Sequence, residues 1–393
     1  MKRQTIVAMA ILAVSLAALY WVAWRVSAAA PPLDLRAFWA SARLLRTAPY
    51  DRAAVAAVQQ ALPGGASHGR ASQDMASRDV LMMRNPPWVL PLVWPLGLLS
   101  YPAASAWMLL LNLCLVLGCA VWLWLQFGGG DYLEPLAAGM TFAPAVWLLR
   151  TGQLTALLLL GLALLLWGLR RQRDMAAGIG LALLSLKPHL VLPLLLVVAL
   201  QAARQRRHAL LVVPLGVVAV LSGVVFWANP GVGAQYVHLM TTLHQENYFY
   251  HSLGSWLELE TGSRALGMVP TLVGLAVTGV WWRRRRALPL AALLPGLVLL
   301  SIASSYYVFD YDHVLLLVPV LAGLRSSRWR WVLAAGGLMN VFVWVQAVYG
   351  ARLGLPQTLP AWEGLGWLLA CLPVLQPELE ADRPVASAEA ALG

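Results

Sequence analysis

The chain has 393 residues, of which 60% are hydrophobic and only 11% charged, with a mean hydropathy of +0.69; soluble domains carry roughly 25% charged residues, so a water-soluble multidomain protein is excluded. The net charge of +11 does not point to nucleic acid, because the basic residues fall in short clusters between apolar runs and do not gather on one soluble face.

Stretches 4–24, 85–130, 208–245, 265–282, 287–309 and 331–351 contain no Asp, Glu, Lys or Arg. About 20 apolar residues cross a bilayer core of about 30 Å, so each is long enough to span. The first run, 5–23, follows Lys2-Arg3 and is 19 residues long, longer than the roughly 7–15-residue core of a cleavable signal. It reads as an uncleaved helix running from inside to outside. Further basic clusters stand at Arg170/Arg171/Arg173, Arg204/Arg206/Arg207, Arg283 to Arg286 and Arg325/Arg328/Arg330. With each on the cytoplasmic side, segments follow near 5–26, 103–127, 134–149, 153–169, 174–187, 189–203, 209–228, 265–282, 287–307, 313–324, 331–349 and 362–376.

The expected fold is therefore all-α, a polytopic transmembrane helical protein with about twelve membrane segments. A single membrane domain is expected over 1–376. It has a long first extracytoplasmic loop with interfacial segments over 27–102 and a second large outer loop over 229–264. An acidic, disordered cytoplasmic tail is expected over 377–393.

After the first span, Asp34 opens an amphipathic helical pattern. Leu35, Phe38, Trp39, Ala42 and Leu45 share one face and Arg36, Arg43 and Arg46 another, as in a helix lying along the membrane surface. Asp34 reads either as the N-cap of that helix or as a carboxylate that accepts a proton from a substrate hydroxyl. Prolines at 86, 87, 91 and 95 forbid a spanning helix there. Irregular backbone at membrane depth needs protein or a water-filled cavity around it.

The 30 residues between Arg173 and Arg204 are interrupted by Lys187-Pro188-His189. That length is too great for one crossing and short for two, so it reads as a hairpin of short helices with Lys187 at its tip. Lys187 either snorkels to water or lines a functional cavity, where an ammonium beside a helix start suits a phosphate. His189 either assists it or caps.

Farther on, the outer loop over 229–264 mixes His244, Asn247 and His251 with Tyr236, Tyr248 and Tyr250. Such a mixture suits carbohydrate, whose rings stack on aromatic faces, or an interfacial aromatic belt. A second aromatic and acidic loop, 306–313, carries Asp310, Asp312 and His313. Cys114, Cys119 and Cys371 have no partners at metal-ligand spacing, and neither a disulfide framework nor a zinc site is indicated. No P-loop, GxGxxG or HExxH is present. Acidic residues lie almost wholly in loops and tails, which favours chemistry at the outer surface over a multi-pass transporter or lipid flippase, the alternative reading.

Taken in order, these segments resemble glycosyltransferase family 87, the polyprenyl-phosphate-mannose-dependent α-mannosyltransferase-like proteins of GT-C fold. The resemblance rests on Asp34-Leu35-x-x-Phe38-Trp39-x-Ser41-Ala42-Arg43 leading to Pro49-Tyr50-Asp51, on Asn85-Pro86-Pro87 with Trp107 and Asn112, and on Gly152-Gln153-Leu154-Thr155 followed by Lys187-Pro188. It runs from about residue 30 to 210. Arg46-Thr47-Ala48-Pro49 departs from the family's Gly-rich approach to the Tyr-Asp pair, and His251-Ser252 stands where an Asn-x-Ser-like element is usual.

The resemblance implies a membrane glycosyltransferase of a bacterial inner membrane, acting on the periplasmic or exterior face. Its donor would be a polyprenyl-phosphate sugar, most simply mannose, and its acceptor a hydroxyl on a glycan, glycolipid or other molecule. Asp34 matches the family's catalytic acid residue. Lys187, Arg43 and Arg84 are the implied donor-phosphate ligands. Tyr50, Asn85, Gln153, His189, His251, Asp312 and His313 are the implied substrate contacts. Neither cofactor nor metal is implied, and the other partners are membrane lipids.

Overall fold

The computed structural model describes residues 18–29, 31–62, 80–242, 252–349, 353 and 359–376. The first part of the opening span, the centre of the first outer loop, residues 243–251 and the acidic tail lie outside the described residues, and so does His251. The described chain is all helical, with no strand among those residues.

Among the described residues three helices, Tyr101–Gln126, Ala209–Ala228 and Arg264–Arg285, are long and apolar enough to cross a membrane. In Ala209–Ala228 only Leu210 and Val225 are buried, while Val212, Leu215, Val220 and Trp227 face outward. An apolar surface of that extent on a chain of this composition belongs in lipid.

Shorter apolar helices, Thr155–Arg170, Asp174–Leu184, Leu192–Arg204 and Leu290–Ser304, form the interior. Eleven of the sixteen residues of Thr155–Arg170 are buried, which makes it the central post. It packs tightly on Asp174–Leu184 because a Cβ at Gly161 would lie 2.8 Å from the Gly180 carbonyl oxygen. Small residues at a crossing let two helix backbones approach this closely where lipid offers no hydrophobic drive.

Three of the expected segments are not continuous helices. Residues 134–149 divide into Leu133–Thr141 and Ala143–Thr151, with Phe142 extended between them. Pro144, in the first turn of the second piece, cannot continue the first helix's hydrogen-bond ladder. Residues 313–324 begin as a 3-10 turn, Asp310–Leu316, before the helix Leu317–Leu324. Residues 362–376 hold the eight-residue helix Glu363–Ala370 flanked by 3-10 turns. Eight residues rise only about 12 Å, well short of a hydrocarbon core.

The segment that opens at Asp34 follows its sequence pattern. Leu35–Arg43 buries Leu35, Phe38, Trp39 and Ala42 and leaves Arg43 exposed. It lies on the proline-rich helix Leu90–Gly97, where a Cβ on Gly97 would come within 2.8 Å of the Ala42 carbonyl carbon. The Trp39 indole donates to the Leu99 carbonyl at 3.0 Å.

Candidate active site

A cavity of about 510 Å³ opens between the Leu35–Arg43 helix, the extended stretch 80–86, the Lys187 turn and the loop 306–311. Asp34, Arg84, Asn85, Gln153, Lys187 and His189 all line it. Residues far apart in sequence thus share one space, and each arrives there for a local reason.

Asp34 occupies the N-cap position of its helix, yet its side chain makes no cap hydrogen bond and its backbone is helical (φ −71°, ψ −24°). An N-cap carboxylate would take an extended backbone and accept from the first turn. Asp34 instead accepts from the Gln153 amide at 2.8 Å, and the Tyr311 hydroxyl hydrogen-bonds the same carboxylate. Gln153 also donates to the Tyr311 hydroxyl oxygen at 3.1 Å.

The Gly152 turn explains how Gln153 gets there. Gly152 ends the Ala143–Thr151 helix in the left-handed region at φ 70°, and a Cβ on it would press to 3.0 Å from Pro32 and 3.1 Å from Leu35. Glycine meets both demands, for positive φ and for close approach. Asn112, itself buried, donates to the Gln153 carbonyl at 2.9 Å and fixes the turn from the Tyr101–Gln126 helix.

Beneath the cavity lies a dry ionic triad. The Lys187 ammonium is 2.7 Å from the Asp312 carboxylate, at side-chain exposures of 9% and 0%. Lys187 also donates to the Thr155 hydroxyl at 3.1 Å, and that hydroxyl donates to Asp312 at 2.6 Å. The other Asp312 oxygen accepts from the Phe309 amide at 3.3 Å. The ammonium sits 4.8 Å from the centre of the Tyr311 ring, a distance at which a cation is attracted to the ring face.

The Lys187 turn is held from outside by the first loop. Asn85 donates to the Leu186 carbonyl at 3.0 Å, and Tyr50 donates to the Asn85 carbonyl at 2.8 Å. The Trp88 indole reaches the Ser185 carbonyl at 3.3 Å.

Burial raises the Asp34 carboxyl above the ordinary carboxylate range; the Gln153 hydrogen bond and the Lys187 charge pull the other way but do not cancel it. Burial also lowers the Arg84 guanidinium, opposed by its contact with Tyr307. His189 is half-buried on the same wall. Its ring lies 5.5 Å from that of Tyr307. The site thus offers a carboxylate tuned toward the proton-accepting range and two cations on the same wall.

Not every expected residue reaches the cavity. Arg43 is exposed, its guanidinium 4.9 Å over the Trp39 ring, and does not line the cavity; it falls on the side of its helix turned from the buried Phe38 face. Tyr50 is 2% exposed and packs at 5.2 Å against Tyr236, so it braces Asn85 and does not face the space. Asp312 lies under Lys187. His313 points away, with Nδ1 at 3.2 Å from Glu363 and both side chains 1% exposed.

Sequence reading did not assign roles to Thr155, Tyr307 and Tyr311. Thr155 was visible inside the Gly152-to-Thr155 motif, and the tyrosines in the aromatic loop, but no spacing joined either to Asp34 or Lys187. Among the described residues no group of three or more His, Cys, Asp or Glu side chains is placed to hold a metal ion.

No curated protein and no solved structure matches the chain. The family model of glycosyltransferase family 87 matches residues 84–305, which takes in Arg84, Gln153, Thr155 and Lys187 and leaves Asp34 and Asp312 on either side. Because that match covers more than half of the 393 residues, the chain belongs to glycosyltransferase family 87 and is a glycosyltransferase.

Proposed function

We propose that the protein is a single polytopic membrane domain over 1–376 of a bacterial inner membrane, and that it transfers a hexose from a polyprenyl-phosphate donor to an acceptor hydroxyl on the extracytoplasmic face. Mannose is the first candidate sugar. One observation carries this reading: the Asp34 carboxylate and the Arg84 and Lys187 cations line the same cavity.

The reaction is one displacement at the anomeric carbon. Asp34 takes the proton of the acceptor hydroxyl as its oxygen forms the new bond to that carbon. The bond from the anomeric carbon to the phosphate oxygen breaks, its electron pair leaves with the polyprenyl phosphate, and the proton rests on Asp34. Gln153 and Tyr311 hold the carboxylate in place, so Gln153 serves the base and not the sugar.

Arg84 is the main phosphate ligand in this proposal, since a guanidinium grips phosphate oxygens bidentately. Lys187 gives two of its three N–H donors to Asp312 and Thr155. The third serves the charge that grows on the departing phosphate, an interaction stronger in the transition state than before it. Asn85 and His189, on the wall of the same cavity, are the proposed sugar contacts.

The test is transfer by the purified protein given polyprenyl-phosphate mannose and a panel of hydroxyl acceptors. Product with that donor, and none with nucleotide mannose, is the expected result. Transfer from the nucleotide sugar without lipid would overturn the donor assignment.

A further inference from the structure

A second cavity, of about 360 Å³, lies between the C-terminal ends of Thr155–Arg170 and Leu192–Arg204 and the start of Leu290–Ser304. These helices connect it to the site described above. Thr155 bonds to Asp312, and Ser305 donates to the His189 carbonyl. The helices have 13 to 16 residues, so the two cavities stand about 20–24 Å apart along them. A volume of 360 Å³ falls within the ordinary range for a small-molecule site.

The chemistry of its lining is one-sided. The polar wall consists of Gln172, Gln201, Gln205, Arg207 and Arg286, and residues 287–291 supply an apolar flank. Stretches 170–174, 204–208 and 283–286 hold ten arginines and one carboxylate, Asp174. Several of these cations already have partners. Arg207 donates to both oxygens of Asp174. Arg170 lies over Phe127, Arg204 over Trp282 and Arg285 over Trp281. Arg286 has neither an ion pair nor a ring contact among the described residues, and it lines the cavity.

Gln201 is only 4% exposed, and its Oε1 accepts from the Trp282 indole at 2.8 Å. Its amide nitrogen adds two N–H donors beside that oxygen. The backbone adds to the same wall. Gln172 stands at φ 53° and Arg206 at φ 55°, left-handed helix ends where glycine is the strain-free residue. At Gln172 that turn sets an amide side chain on the cavity rim, where one N–H of Nε2 donates to the Leu169 carbonyl at 3.3 Å and the other N–H is left for a ligand.

A cavity lined by donors and cations, with an apolar flank beside membrane helices, fits a lipid headgroup carrying phosphate. We propose that this cavity binds a phosphate-bearing anion, presented by the headgroup of an anionic phospholipid in the leaflet opposite the glycosyl-transfer site. Arg286 is the anchoring cation, Gln201 and Gln172 supply amide groups, and the 287–291 flank contacts the start of the acyl chains. Clustered arginines at this end also follow the positive-inside rule. That rule needs only charge, whereas the cavity requires one particular arginine.

The full chain is reconstituted in bilayers of phosphatidylcholine with phosphatidylglycerol, re-extracted in detergent, and its retained lipid measured by native mass spectrometry. Phosphatidylglycerol is expected to be retained over phosphatidylcholine. Arg286→Gln should lower that retention about tenfold, the loss of one charge-assisted hydrogen bond, whereas Arg284→Gln, an equal loss of charge off the cavity, should not. Equal retention of the two lipids, or equal losses in the two variants, would overturn the site. Thermal unfolding in phosphatidylcholine alone checks that Arg286→Gln is folded. A separate arm adds inorganic phosphate to delipidated protein: stabilisation of the parent chain but not of Arg286→Gln, with no lipid preference, keeps the phosphate site and assigns it to a soluble anion.

Discussion

The two ends of the Thr155–Arg170 helix treat charge in opposite ways. At the Thr155 end, Lys187 and Asp312 form an ion pair at 2.7 Å with almost no exposure, and Asp34 is held by an amide and a phenol. At the Arg170 end, most cations are exposed and several rest on aromatic faces. Exposed arginines cost little and contribute little to stability. A buried pair is expensive to desolvate and is often no better for stability than apolar residues of the same shape. A costly buried ionic cluster in a cavity marks a candidate functional site, and the proposals therefore place chemistry at the first end and ligand anchoring at the second.

The sharpest break in that contrast is Asp34→Asn. Asparagine keeps an oxygen for the Gln153 amide and disturbs no helix cap, so the unfolding temperature should stay near that of the parent. Transfer should fall by about 10²–10⁴, the usual contribution of general acid–base catalysis. Unaltered transfer would return Asp34 to a structural role.

Next in size is Asp312→Ala, which strands the Lys187 ammonium in a dry site and should cost about 3–5 kcal/mol of stability. Thermal unfolding in detergent measures it. The double variant Lys187→Met, Asp312→Leu should regain most of that stability while transfer stays low. A double variant as unstable as the single one would mean that cavity shape, not charge, is at stake. Arg284→Gln, at the exposed end, should lie within about 0.5 kcal/mol of the parent.

A smaller effect is expected in the pH profile of Gln153→Leu. In the proposed mechanism transfer needs Asp34 ionised, so it should fall as pH drops through the Asp34 pKa, which burial already holds above the usual carboxylate range. The Gln153 amide stabilises the ionised form; without it the pKa rises further, and the acidic limb should move to higher pH. At a pH well above that limb the variant should recover much of its rate. A uniform loss at every pH would instead make Gln153 a substrate ligand.

Asp34 and Lys187 were legible because a charge stands out in an apolar background, and a proline-broken turn sets Lys187 apart. The apolar face of Leu35–Arg43 was legible from spacing alone. The Lys187–Asp312 pair was not, since 125 positions separate its members and only the return of the 310–316 turn beneath the central helix joins them. Nor was the break at Phe142, because apolar residues on both sides of Pro144 conceal two short helices inside one hydropathic run. Gly152 could be recognised as part of a motif, but its reason, a left-handed turn pressed against Pro32, exists only in three dimensions.

Arg43 and Arg84 test how far that third dimension matters. Both precede the Tyr101–Gln126 helix, in the stretch expected to form the first outer loop, and the sequence treats them alike. Arg84 lines the cavity with its guanidinium near Tyr307, whereas Arg43 lies over Trp39 on the outer face of its helix. Arg84→Gln should raise the donor KM about tenfold, as expected for the loss of one charge-assisted contact. Arg43→Gln should leave donor use unchanged and alter stability by no more than about 0.5–1 kcal/mol, the worth of an exposed cation–π contact. Equal rises in KM for the two variants would mean that their positive charge acts at long range to attract the anionic donor, and added salt would then erase both effects. A rise confined to Arg84→Gln and insensitive to salt would fix the phosphate at the cavity wall.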